Sequence, residues 1–350
     1  MSTTESETRA ATAAVRLDYL TQDLLDSQPA SWWHNVLGVV GFARPPVVGR
    51  DIPSTATMTP PLGDGECCEV WRLAQPGARV THGQRGRVHF RCSEEVLFGA
   101  LSIAESEVGA ENEAQALLRS AEIAYEEIFA VLDATQHRHL IRIWNYVPGI
   151  NVAAGGEERY RLFNSARQAA FRSSGRAIMG SVPAACALGS PPGAPLCVYF
   201  LAARLPARMI ENPRQTSAYH YPPKFGKHSP TFSRACISDD SQQANLFISG
   251  TASIVGHETV HAGDAAAQTR ETLANIDALL AEANRAAGSA RYSRNKLKLK
   301  VYVRHAADLG AVQGVLSREL RGARPLYIQA DICRDDLLVE IEAVGASADG

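Results

Sequence analysis

Two stretches of this chain carry one pattern written twice, and a duplication constrains the fold before any motif is interpreted. LFGALSI (97–103) and SGTASI (249–254) are both runs of apolar and small residues. Each leads into a turn containing Gly and an acid, then an Ala/Leu/Glu-rich segment of helical periodicity. The spacing predicts a helix over 112–134, with Leu117, Ile123, Ala124, Ile128 and Leu132 on one stripe, and a second over 264–285, with Leu273, Ile276 and Leu280. Apolar residues then alternate with polar or basic ones at 139–146 and 296–304, which reads as a strand in each half. Further helices are predicted at 157–171 and 308–320, and closing strands at 196–202 and 337–343. Similar composition alone could make two α/β halves look alike. Taken as a true duplication, the pattern predicts an α+β fold of two halves, each a mixed sheet with helices packed on one face. The expected organisation is a polar, flexible segment over 1–15, an N-terminal half over 16–205 and a C-terminal half over 206–350. The Pro-, Tyr-, His- and Ser-rich stretch 205–230 is a candidate active-site loop between the halves.

A length of 350 residues accommodates two cores. The 35 Lys+Arg against 37 Asp+Glu leave a net charge of −2, so there is no electrostatic case for nucleic acid or an anionic membrane, and any anionic ligand must be held by a few local cations. No stretch approaches the roughly 18–20 apolar residues of a membrane span, and the first residues lack a basic segment leading into an apolar one, which makes a cytoplasmic location the expectation. The seven Cys are odd in number, show no CxxC spacing and sit mostly in apolar runs, as at Cys186, Cys197 and Cys333. They read as reduced core thiols rather than metal ligands.

Three constellations could carry chemistry. His257-Glu258-Thr259-Val260-His261 fits H-E-x-x-H, in which two His one helical turn apart bind zinc and the Glu activates water. Gly256, Gly263 and the β-branched pair Thr259-Val260 argue against the helix this needs, and Asp264 reads better as an N-cap; Glu282 is an available third ligand if a zinc metallohydrolase is nevertheless built. The segment between the halves, ENPRQTSAYHYPPKFG then SPTFSRA, clusters Tyr, Arg and Ser donors suited to a carboxylate, or is an ordinary surface loop. In the closing strand, alternation puts Leu338, Glu340 and Glu342 on one face. Glu340 lies there either on a solvated face or in an enclosed site, where desolvation would keep it protonated as a general acid; the first half has Tyr199 at the matching place.

The strings HLIRIWNYVPGIN, ENPRQTSAYHYPPKFG, SPTFSRA, LFISGTASIVGHETVHAGD, QTRETLANIDALL and ADICRDDLLVEIEAV, in this order, resemble the chorismatases of bacterial secondary metabolism. The second half is also similar to the wider YjgF/RidA superfamily. The resemblance implies two YjgF/RidA-like (chorismate-mutase-like) halves that mimic part of a trimer. It further implies a site without metal or cofactor that releases pyruvate from the small molecule chorismate, as in antibiotic biosynthesis, and it recasts HETVH as the turn after a strand. By similarity Glu340 is the proton donor, and Arg142, Tyr219, Tyr221, Arg234 and Arg304 are contacts for the substrate's carboxylates and hydroxyl. Cys333 and Gly250 resemble features of the branch that makes 3-hydroxybenzoate; the other branch hydrolyses chorismate to a dihydroxycyclohexadiene carboxylate. A RidA-like imine hydrolase would not need the first half's Arg142-Ile143-Trp144-Asn145 or the Tyr-rich loop. The resemblance carries no oligomeric state.

Overall fold

A computed structural model describes residues 14–63, 67–75, 77–239, 243–320 and 322–345. Its central feature is the duplication. In the first half the strands Ala184–Ser190, His139–Pro148, Leu196–Ala203 and Val96–Ile103 lie side by side in that order. In the second half Leu326–Gln329, Leu297–Val303, Val339–Gly345 and Leu246–Ala252 repeat it. In each set the first pair is parallel and the other two are antiparallel. Equal order and equal direction in all three pairings make this a repeated unit, not a likeness of composition.

The helices form where the sequence places their caps. Asn112 accepts a hydrogen bond from the Gln115 amide and starts Glu113–Thr135; Asp264 accepts from the Ala267 amide and starts Ala265–Ala287. The first ends on Gln136 and the second on Gly288, both left-handed. The shorter helices run over Arg159–Ser173 and Leu309–Glu319. The first of these starts later than the expected 157 because Glu157 and Glu158 pair with Ala154 and Ala153 in a two-residue hairpin. All four helices pack on outer faces: Tyr125, Phe129, Phe163 and Phe171 cover the first sheet, and Leu273, Ile276, Leu279, Val312 and Leu316 the second.

A third sheet has no counterpart in the sequence reading. Residues 15–73 form four strands ordered Val15–Thr21, Cys67–Leu73, Val36–Gly41 and Ser54–Ala56. Of the segment expected to be flexible, 1–13 lie outside the described residues, whereas Val15 is already paired with Leu73. The inner faces of the three sheets meet in one apolar core, to which the first gives Phe98 and Tyr199, the second Phe247 and Tyr302, and the third Phe42 and Trp71. The halves also interlock in chain terms. Asp331–Ile332 from the second half pairs with Leu188 and Gly189 at the edge of the first sheet, and the Ala185 amide donates to Ser249 Oγ across the seam (2.9 Å). That seam is where the closing strand's acids point.

Candidate active site

A cavity of about 350 Å³ opens at the seam between the two duplicated sheets. Tyr160 comes from a first-half helix, Tyr221, Phe225, Phe232 and Arg234 from the segment between the halves, Gly250 and Glu340 from the second sheet, and Cys333 and Arg334 from the turn before the closing strand. A recess of about 30 Å³ adjoins it, lined by Arg167, Cys186, Gly250, Cys333 and Glu340 among others. Glu340 therefore faces both spaces.

The fold leaves this carboxyl without a solvated surface. Glu340 is 4% exposed, paired in register with Tyr302 on one side and Ala252 on the other. The ladder to Leu246–Ala252 slips between Ile248 and Thr251, which brings Gly250 against the acid; a Cβ at 250 would overlap Glu340 Oε1 and crowd Cys186. Burial is the main cause that pushes the Glu340 pKa up, to about 8; the neighbouring Glu342 adds to it, while Arg142, Arg234 and Arg304 oppose it. The group is protonated at neutral pH. Of the two alternatives for the strand's acidic face, the enclosed one is realised. Burial and Glu340 likewise push the Cys333 thiol to about 12, so it stays neutral.

Two cations of the cavity wall make no ion pair. Arg234 donates to the Thr216 carbonyl (2.7 Å) and the Tyr221 hydroxyl (2.8 Å), and its guanidinium lies over Tyr221 and Phe232. Arg334 donates to the His257 carbonyl (2.9 Å) and lies 4.1 Å from the Phe225 ring centroid. Among the described residues neither is ion-paired, and Arg234 Nε and Arg334 Nη2 have no partner. Arg167, in the recess, is 2% exposed; it donates to Asn164 Oδ1 (2.8 Å), and its Nε is unpartnered. Three buried or half-buried guanidinium groups that make no ion pair can hold an anionic ligand, on a wall that also carries Glu158, Glu258, Asp335 and Asp336.

Of the residues expected from sequence, Glu340, Cys333, Tyr221, Arg234 and Gly250 come together on the cavity wall. The other three do not reach it. Arg142 is buried between the sheets, bonded to Glu342 at 2.5 Å and lying over Trp144. Arg304 staples the chain before the closing strand through Asp331 (2.8 Å), Asn151 (3.0 Å) and the carbonyls of Ile332, Arg334 and Leu337. Tyr219 packs edge-on against His220 outside the cavity lining. Arg142 and Arg304 thus act on Glu340 through charge rather than as wall contacts. Sequence reasoning missed Arg167, Arg334 and Tyr160. Arg167 had a signal: Phe163, Arg167 and Phe171 are spaced i, i+4, i+8, so the arginine interrupts an otherwise apolar helix face.

The zinc alternative is overturned by local geometry. Ile254–Val255 and Glu258–Thr259 form a small antiparallel hairpin, with Gly256 at φ 60° in its turn, and His261 follows in the left-handed region. His257 and Glu258 contact each other (3.1 Å) and Glu258 pairs with Lys224, but His261 turns to Glu271 (3.3 Å) and Glu282 to Arg285, so the two His and the third acid do not converge. Among the described residues no cluster of His, Cys, Asp or Glu is placed to hold a metal ion, and no helix is long and apolar enough to cross a membrane.

Residues 69–202 match a family model described as chorismatase FkbO/Hyg5-like, N-terminal. A 3-hydroxybenzoate synthase of Streptomyces hygroscopicus is 35% identical over 324 residues, covering 89% of this chain and 91% of that protein. A chorismatase of Streptomyces rapamycinicus is 36% identical over 302 residues, covering 84% of this chain and 86% of the relative. A crystal structure of a chorismatase superposes with a TM-score of 0.82 at 30% identity, covering 96% of this chain and all of that one.

Proposed function

The chain belongs to the chorismatase family, and we propose that it converts chorismate to 3-hydroxybenzoate and pyruvate with Glu340 as the proton donor. The observation that carries this reading is a carboxyl held protonated near neutral pH in a cavity where Arg234 and Arg334 make no ion pair. Chorismate is a small dianion with an acid-labile enolpyruvyl ether. Its two carboxylates meet the unpaired guanidinium groups of Arg234, Arg334 and Arg167, and the Tyr221 hydroxyl, fixed by Arg234, orients one of them.

Glu340 gives its proton to the terminal methylene carbon, and the alkene's electron pair forms the new C–H bond. The positive charge that develops beside the ether oxygen weakens the bond from that oxygen to the ring. The ring's neighbouring hydroxyl then displaces the oxygen, forming an epoxide and releasing pyruvate; its own proton restores the carboxyl of Glu340. Opening of the epoxide takes up one proton and aromatisation releases one, so no water is consumed. Aromatic walls at Tyr160, Phe225 and Phe232 favour this internal nucleophile by keeping bulk water from the reacting carbon. Gly250 and Cys333, which flank the acid, are the features that favour this branch over hydrolysis.

Incubation with chorismate, followed by chromatography of the aromatic product and an assay of pyruvate, tests the proposal. Equal amounts of 3-hydroxybenzoate and pyruvate are expected. Glu340→Gln, isosteric but unable to donate the proton, is expected to keep the fold and lose about 10²–10⁴-fold in turnover. Pyruvate release near the wild-type rate by that variant would remove Glu340 from the mechanism.

A further inference from the structure

Behind the cavity, between the three sheets, four ionisable side chains form a chain that the proposed mechanism does not use. Glu342 pairs with Arg142 (2.5 Å) and Lys300 (2.8 Å) and accepts from Trp144 Nε1 (2.9 Å). Lys300 also pairs with Glu69, which accepts from Trp71 Nε1 (2.6 Å), and Lys300 donates to the Tyr199 hydroxyl (3.0 Å). None of the four is more than 6% exposed. Glu69 comes from the N-terminal sheet, Arg142 from the first duplicated sheet, and Lys300 and Glu342 from the second. Two cations face two carboxylates. Such a buried array is a weak source of stability, since apolar residues of the same volume commonly serve as well or better. Its placement, with Glu342 two residues along the same strand face from Glu340, points to a role in the site.

We propose that Glu342 is a positioning residue for the Glu340 proton: by taking up both Arg142 and Lys300, it lowers the positive charge of the wall behind the acid. The inference rests on the reading of Glu340 as the acid. Every charge facing that acid bears on it. Arg142 approaches from the first sheet, Arg234 from the segment between the halves, Arg304 from the end of the strand Leu297–Val303 and Glu342 from its own strand, while Arg167 and Arg334 line the two spaces it faces, Tyr302 is its partner on the next strand and the neutral thiols Cys186 and Cys333 lie beside it. Of the charges that bear most on it, Arg142, Arg234 and Arg304 favour the ionised form and Glu342 favours the protonated one. Burial works against the ionised form of Glu342 itself, but Lys300 and Arg142 outweigh it and hold its pKa below the ordinary carboxylate value. The N-terminal sheet has a part in this, because Glu69 shares Lys300 with Glu342.

The test measures protonation directly and turnover separately. Infrared difference spectra follow the protonated carboxyl band of Glu340 against pH, the band being assigned by its absence in Glu340→Gln. In Glu342→Gln the midpoint is expected to fall by at least about one pH unit, a tenfold change in the proton-binding constant. The alkaline limb of kcat for pyruvate release should move down with it. The charge-neutral double variant Arg142→Met/Glu342→Gln should bring the midpoint back towards wild type, which loss of packing would not do. Glu69→Gln, which removes the other carboxylate, should lower the midpoint as well, and it carries the test if Glu342→Gln does not fold. An unmoved midpoint in Glu342→Gln, or an equal fall in the double variant, would overturn the inference. Wild-type protein that shows the band and its shift but releases no pyruvate would instead overturn the proposed function.

Discussion

Gly250 and Glu340 sit on neighbouring strands so close that a single methyl group decides where the acid's carboxyl can lie. Cys333, on the other side of that carboxyl, is a neutral thiol, suited to orient a hydroxyl through weak hydrogen bonds but not to act as a thiolate base. Cys333→Val is therefore expected to keep pyruvate release, and Gly250→Ala, which displaces the Glu340 carboxyl, to lower it; in both, the remaining turnover is expected to move the second product from 3-hydroxybenzoate towards the dihydroxycyclohexadiene carboxylate, because a shifted ring hydroxyl loses its advantage over water. Chromatography of both products against total pyruvate is the measure, and a constant ratio in both variants would return the two residues to plain packing. Legibility at this scale was uneven. The Glu340/Tyr199 difference between the closing strands was visible as letters and marks the acid. Arg142 and Arg304 came as substrate contacts from the family resemblance, and alternation along a strand cannot tell a face that borders a cavity from one that borders another sheet. Arg334 follows Cys333 in a turn, where no periodicity flags a side chain.

At the scale of elements, short-range chemistry decided what could be read. Asn112 and Asp264 are side-chain caps, and they fixed the two long helices to within two residues of expectation. The same cap, with Gly256 and Gly263, made HETVH a hairpin and turn despite its zinc-site spelling. His257 lies beside Phe225 outside the cavity lining, its ring 3.1 Å from Glu258 and its backbone carbonyl accepting from Arg334. His257→Ala is thus expected to retain activity within about tenfold, the ~1.4 kcal/mol scale of a peripheral contact, and metal analysis of the purified protein to find no stoichiometric zinc. Zinc at one equivalent, lost together with activity on chelation, would contradict the hairpin. The N-terminal sheet escaped the sequence reading for a physical reason. Its strands have no internal copy to align with, one of them is only three residues long, and its inner face is recognisable only once two other sheets are there to cover it.

The whole molecule sets three sheets around one core and places ionisable groups inside it, so its stability must depend on pH in a way set by those groups. Glu340 is the clearest case. Its pKa in the folded chain is about 8, against 4.5 for an ordinary glutamate, so between these values the folded state binds a proton that the unfolded state has released. Stability contributed by this residue accordingly falls as pH rises from about 4.5 to 8 and stays low above that. Glu342 works in the opposite sense: its pKa is lowered, so its contribution is present above the ordinary glutamate value and is lost on acidification. Glu340→Gln removes the first dependence and leaves the second. Melting temperatures of wild type and Glu340→Gln should nearly coincide around pH 4.5, where the carboxyl is protonated in the folded chain and only beginning to ionise in the unfolded one. They should then separate as pH rises, the variant melting several degrees higher by pH 9, for a gap of about 3–5 kcal/mol. The loss of turnover and the gain in stability would then share one cause, a proton held in place by burial. A gap that does not change between pH 5 and 9 would show that the carboxyl is ionised in the folded protein throughout, and would remove the basis for its role as an acid.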